Sequence, residues 1–248
     1  VIQMRVIKVG GSVVPMLDKI LDTSSLHGNS IIVHGGSRYV DEMARKLGVK
    51  VERLVSPSGV MFRRTTRRVL DVYVAALMRA NRELVSFLRE RGIDAIGVSG
   101  LDGVVLAKRK KLVKAVVNGK VIAIRDDYSG VIKSINVTLL KNYLKVGIPV
   151  IASIAYDPEE NVPLNVDGDK VAYHVAIAMK AKELRFLSDT AFLIDGNVVE
   201  RIPLEDFDEY LRYAGGGMKK KLMMARKALE SGVKKVVIEG LNGRTVIS

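Results

Sequence analysis

The chain has no cysteine and no tryptophan, and only three histidines among its 248 residues. Without cysteine there can be no disulfide, no thiolate nucleophile and no zinc–cysteine site. His27, His34 and His174 are scattered, no HExxH is present, and no Ser-His-Asp arrangement can be supported. His34, at the end of an apolar strand beside a glycine turn, is expected to be structural rather than catalytic. Aromatic residues make up 5% of the chain and do not interleave with the basic clusters, so nucleic acid is not an expected partner. No apolar run reaches the ~18 residues of a membrane span. Arg5 and Lys8 interrupt the short apolar stretch at the N-terminus, which does not read as a secretory signal. A cytoplasmic protein with no membrane partner is the expectation. Neither GxxxxGKS/T nor a helix-opening GxGxxG occurs, which excludes a P-loop or a dinucleotide-binding fingerprint.

Positive charge, by contrast, is plentiful: 40 Lys and Arg stand against 27 Asp and Glu, a formal +13. An ion-paired surface of the heat-adapted kind accounts for such an excess. So does attraction to an anionic partner such as a nucleotide or an acidic protein. Strand-like runs alternate with helical patterns, the signature of a mostly parallel sheet covered by helices. The expected elements are strands at 4–9, 30–34, 94–100 and 148–153, with helices near 14–23, 37–47 and 136–145 and a long one over 66–91. Hairpins are expected over 104–124, turning at Asn118-Gly119. Beyond residue 153 come a loop and helix over 163–180, a strand at 184–189, a small hairpin at Asp195-Gly196, helices at 205–213 and 217–230, and a strand at 234–240. Motif order divides the chain into an N-terminal lobe, 1–153, and a C-terminal lobe, 154–248.

Two glycine pairs follow buried-type strands: VIKVGGS at 6–12 and IIVHGGS at 31–37. Such turns free backbone N–H groups at the carboxyl edge of a sheet, where open α/β folds bind ligands. The second pair opens a helix, a favourable place for an oligophosphate, and Lys8 adds a point charge before the first. Further clusters follow: 56-SPSGVMFRRTTRRVLD-71, whose arginines can fork onto a carboxylate; Asn165-Val166-Asp167-Gly168-Asp169 entering a helix; 187-LSD-189 at a strand end; and 215-GGGMKKKLMMARKALE-230. Three lysines in a first helical turn oppose the helix dipole, a conflict that a bound anion relieves.

In order, IKVGGS, VHGG, GxxxRxT, NVDGDKVA, LSD and GGMKKK resemble the amino acid kinase family over essentially the whole chain, and its N-acetylglutamate kinase branch most closely. SPSGVMFRRT, VSGLDGVVLAKRKK and IRDDYSG (124–130) are similar to archaeal members that phosphorylate an amino acid tethered to a small acidic carrier protein. The resemblance implies a three-layer αβα sandwich with a mostly parallel sheet, the acyl acceptor on the first lobe and ATP, bringing Mg²⁺, on the second. The implied reaction is phosphorylation of the side-chain carboxylate of amino-blocked α-aminoadipate or glutamate, in lysine or arginine (ornithine) biosynthesis. It implies catalytic roles for Lys8 and Lys221, held by Asp169. Gly10, Gly11, Gly35 and Gly36 would offer backbone donors to phosphate or substrate. Arg63, with Asn165, would hold the acceptor's α-carboxylate, although Arg64 stands next to it. Ser188, Asp189 and Gly217 would lie at the nucleotide. A homodimer built on the 66–91 helix is also implied. Arg64, Arg67, Arg68 and Lys108-Arg109-Lys110-Lys111 would form a basic rim for the carrier. Free N-acetylglutamate is the alternative acceptor; a silent nucleotide-binding regulator or a basic nucleic-acid protein is the alternative of another class.

The second loop departs from many relatives in reading Gly-Gly-Ser, Thr66 replaces a common acidic residue, and TAFLIDG after LSD lacks an early glycine. The absence of a general base suits the implied chemistry. A carboxylate of reference pKa roughly 4.3 is already a nucleophile at neutral pH, and what it needs is positioning and relief from repulsion by the triphosphate.

Overall fold

The computed structural model describes residues 3–26 and 28–248, so His27 lies outside the described residues. Strands β1 (Arg5–Val9), β2 (Ser30–His34), β3 (Ala95–Val98), β4 (Ile148–Ala152), β5 (Glu183–Leu187), β6 (Arg201–Ile202), β7 (Lys235–Gly240) and β8 (Gly243–Ile247) form one sheet. Their order is β6-β8-β7-β5-β1-β2-β4-β3. From β7 to β3 every pairing is parallel, and β8 folds back antiparallel on β7. β2 and β4 are buried at every position, as strands covered on both faces must be.

The period-2 alternation of each strand assigns its side chains to two helical layers. Val6, Ile31, Val33, Leu184 and Phe186 join one core with α3 (Val137–Leu144), α4 (Gly168–Ala178) and α5 (Gly216–Glu230). Ile7, Val9, Ile32 and Leu187 join the other, under α1 (Ser37–Lys46) and α2 (Arg67–Arg89). The expected αβα sandwich is therefore present. α2 is capped by Thr66, whose hydroxyl accepts from the Val69 N–H, and it buries Leu70, Tyr73, Leu77, Ala80, Leu84 and Leu88, a helical i, i+3/i+4 stripe.

Two expectations needed correction. The helix near 14–23 is a 3₁₀ turn, Val14–Met16, and one helical turn, Leu17–Ile20, because Leu21 is extended and Asp22 caps a fresh turn. Over 104–124, Val113–Val117 and Lys120–Ile124 do form a hairpin through Asn118 (φ 48°) and Gly119 (φ 74°). Val105–Arg109 pairs with Gly130–Ile135 instead, since Val105 and Ala107 are drawn into the main core. Strands Arg53–Val55, Met61–Arg63 and Gly243–Ile247 were not anticipated.

His34 is fully buried at the end of β2. Its Nδ1–H donates to Gly35 O (2.9 Å), and Nε2 accepts from Asn81 Nδ2 (3.0 Å), which also donates to Val150 O (2.9 Å). Burial lowers its pKa to about 4, so the ring is neutral and serves the turn. With the folded value below the unfolded one, the unfolded chain takes up the proton first as pH falls. Stability is therefore expected to fall between about pH 6.5 and 4, by up to ~3 kcal/mol from this residue. Urea titrations of the wild type and His34→Asn across that window test this; equal pH slopes would refute it.

Candidate active site

β1 is flanked by β2 and β5, so the carboxyl ends of these strands meet where chain order reverses, the place at which open sheets bind ligands. Val9 pairs in register with His34 on one side and Leu187 on the other, bringing Gly10-Gly11, Gly35-Gly36 and Ser188-Asp189 to one edge. Gly10 N–H donates to Leu187 O (3.0 Å) and Gly35 N–H to Val9 O (3.1 Å). These two glycines therefore shape the turns with their donors already used, which corrects the expectation that all four offer N–H groups. A Cβ on Gly11 would stand 3.0 Å from Gly36 N, so the two loops touch.

The alternation that places Val6 against α4 also turns Lys8 toward that helix. Asp167 caps α4, accepting the N–H groups of Asp169 (2.9 Å) and Lys170 (3.1 Å). Asp169 is thereby released from capping and buried, with Lys8 Nζ 2.7 Å from Oδ1 and Lys221 Nζ 3.6 Å from Oδ2. A Cβ on Gly168 would meet Ser153 Oγ at 2.8 Å and Lys8 Cε at 3.2 Å, so glycine there lets Lys8 pass. Burial pushes the Asp169 carboxyl up, but Lys8 and Lys221 outweigh it and hold it below the ordinary carboxylate range. Burial pulls Lys221 down, with partial compensation by Asp169. Lys220 contacts Asp167 and is pulled down to about 8 by burial and by the charges of Lys8, Lys221 and Lys110. Three lysines thus share two carboxylates, a surplus suited to an anion.

On the α1 side, Arg63 is buried. Its Nη2 donates to Ser37 Oγ (2.9 Å) and O (3.2 Å), and Nη1 to Asp41 (2.7 Å). Arg64 turns away to Glu52 (2.9 Å), so of the two it is Arg63 that stands at the glycine loop. Asn165 Nδ2 donates to Thr65 Oγ1 (2.8 Å). Gly217 lies exposed in the first turn of α5, and Asp189, also exposed, exerts its charge on Lys221.

Sequence reasoning missed Asp41 as the partner of Arg63, Lys220 as the partner of Asp167, and the role of Asp127 within IRDDYSG. Fully buried, Asp127 accepts from the N–H groups of Thr65 and Ser129 (both 2.9 Å), so IRDDYSG clamps the RxT segment. A concavity of about 760 Å³ lies elsewhere, lined by Glu52, Arg64, Ile122 and Arg125 among others; no glycine loop or cluster lysine borders it.

The model of the amino acid kinase family matches residues 3–240. A Pyrococcus horikoshii protein, provisionally named LysW-aminoadipate/LysW-glutamate kinase, is 67% identical over 100% of this chain and 99% of its own. A Saccharolobus islandicus protein named LysW-aminoadipate/LysW-glutamate kinase is 38% identical over 99% and 96%. The crystal structure of smu.665 from Streptococcus mutans superposes with a TM-score of 0.80 at 26% identity, covering 99% of this chain and 98% of that one.

Asp169→Asn leaves Lys8 and Lys221 buried without their counter-charge, an arrangement that costs about 3–5 kcal/mol elsewhere. Urea unfolding is expected to show a loss of that order, against about 1 kcal/mol for the capping variant Thr66→Ala on α2. Equal losses would contradict the reading of Asp169 as the buried hub.

Proposed function

The chain belongs to the amino acid kinase family, and from that premise we propose that it transfers the terminal phosphoryl group of ATP to a side-chain carboxylate. The acceptor is α-aminoadipate, glutamate or both, carried by its blocked amino group on a small acidic protein of the kind the relatives' names call LysW. The observation that carries the reading is Asp169, holding one lysine from each end of the chain at the mouth of two touching glycine loops.

In this mechanism a carboxylate oxygen attacks the γ-phosphorus, the bond from that phosphorus to the β–γ bridging oxygen breaks, and ADP departs with its electron pair. No proton moves. Lys8 and Lys221 offset the charge shared by nucleophile, phosphoryl group and leaving group, as electrostatic catalysis of phosphoryl transfer requires. Gly11 and Gly36 supply backbone donors, while Gly10 and Gly35 permit close approach. Arg63 exchanges Asp41 for the acceptor's α-carboxylate beside Asn165, and Ser188, Asp189 and Gly217 border the nucleotide.

Mg²⁺ chelated by the phosphates would supply further neutralisation. The donor set fits a metal that arrives with ATP: both Asp169 oxygens face lysines, and no group of three or more His, Cys, Asp or Glu suited to a metal occurs among the described residues. No described helix is long and apolar enough to cross a membrane. The lobes 1–153 and 154–248 then serve acceptor and nucleotide, and a dimer built on α2 is part of the same proposal.

The basic rim needs revision. Lys108 pairs with Glu159, Arg109 and Lys111 with Glu160, and Arg64 with Glu52, whereas Arg67 and Arg68 are exposed. Arg67 and Arg68 therefore make better docking residues, acting chiefly on encounter rate and specificity.

A hydroxamate-trapping assay with MgATP should give a higher kcat/KM for carrier-linked aminoadipate or glutamate than for free N-acetylglutamate. Arg63→Ala should raise the acceptor KM on the order of tenfold to a hundredfold, and Arg64→Ala far less. Preference for free N-acetylglutamate would remove the carrier from the proposal; no acyl phosphate from any of the three would sink it.

A further inference from the structure

A smaller sheet stands apart from the large one. Its strands run in the order Met61–Arg63, Arg53–Val55, Val113–Val117, Lys120–Ile124, antiparallel throughout. Register pairs Met61 with Val55, Val55 with Val116 and Val116 with Val121. Residues paired in this way share a face, so one apolar row crosses all four strands. With neighbouring strands ~4.8 Å apart, the row is about 14 Å wide. Met61, Val55, Val116 and Val121 are 63%, 38%, 37% and 59% exposed. The inward face is the opposite one, where Ala115 and Ile124 are buried. Single exposed apolar residues are ordinary, but a contiguous row of this kind marks an interaction surface.

Charge and position say what fits on it. The four strands hold Arg53, Arg63, Lys114 and Lys120 and not one carboxylate. The two-residue alternation puts Arg53, Arg63 and Lys114 on the face of the row, and Lys114 is exposed there. An apolar strip bordered only by cations complements an acidic polypeptide. Arg63 and Arg53 are paired in register, and both reach Asp41 of α1. The row therefore begins two residues along the strands from the arginine assigned to the acceptor's α-carboxylate.

We propose that this face docks an acidic polypeptide, the body of the carrier that brings the acceptor to Arg63, with the apolar row as its contact and Lys114 as a charged border. This rests on the carrier reading and gives the carrier a place on the molecule. Docked there, the carrier lies against the strand that bears Arg63.

Calorimetric titration of the full chain with carrier-linked glutamate and carrier-linked aminoadipate, without nucleotide, tests this. Val121→Asp is expected to weaken both conjugates roughly tenfold or more, because it sets a carboxylate in the contact opposite an acidic partner. Replacing Met61 and Val121 together by serine should weaken them severalfold. Lys114→Glu should slow association and flatten its dependence on salt. Val146→Asp, at an exposed valine beyond α3, should bind both conjugates as the wild type does. Affinity for a non-hydrolysable MgATP analogue checks that each variant is folded, and the serine pair decides if Val121→Asp fails that check. Conjugate affinity unchanged in a folded variant of the row overturns the inference and leaves the kinase reading standing. A wild-type dimer that Val121→Asp makes monomeric by light scattering assigns the row to a second copy and overturns it as well. A wild type that binds the analogue but neither conjugate removes the carrier reading and this inference with it.

Discussion

One buried carboxylate organises the carboxyl edge of the central sheet. Asp169 receives Lys8 from the first strand and Lys221 from the last long helix, so residues more than two hundred positions apart meet on it. Desolvating three charges is expensive, and ion pairs in such places contribute little net stability over an apolar replacement. Their use is geometric: two ammonium groups are held at fixed positions facing a shared space. Much of the surrounding structure makes that arrangement possible. Asp167 takes over the capping of α4, Gly168 clears a path for Lys8, and parallel β1, β2 and β5 bring the glycine turns level.

Much of the architecture was legible in the sequence because parallel strands covered on both faces write themselves as apolar runs, and α2 as an unbroken 3.6-residue stripe. The small sheets were not. Arg53–Val55 and Met61–Arg63 are three-residue strands with largely exposed side chains, too short for a period to register. Val105–Arg109 was read as part of the neighbouring hairpin because local turn chemistry at Asn118-Gly119 is strong, whereas its actual partner lies beyond that hairpin and is chosen by the core.

At the site, the resemblance to the amino acid kinase family pointed to Lys8, Asp169, Lys221 and Arg63, but not to how each is held. Adjacent Arg63 and Arg64 are equivalent in composition, and only strand alternation separates them, sending one to Ser37 and the other to Glu52. The glycine donors were over-counted for a similar reason: a sequence does not show that two N–H groups continue the ladder of the sheet. The charge excess also divides in space. Part of it is an ion-paired surface, as at Lys108 and Lys111, and part is concentrated without matching carboxylates around the cleft.

That concentration has a thermodynamic side. Lys8, Lys220 and Lys221 repel one another in the folded chain, and the repulsion is relaxed when the chain opens. Any small polyanion that enters the cleft therefore binds the native state in preference to the unfolded one, and shifts the folding equilibrium by mass action. The melting temperature of such a protein is a property of the molecule together with its medium, and inside a cell the pool of nucleoside triphosphate becomes part of what keeps it folded.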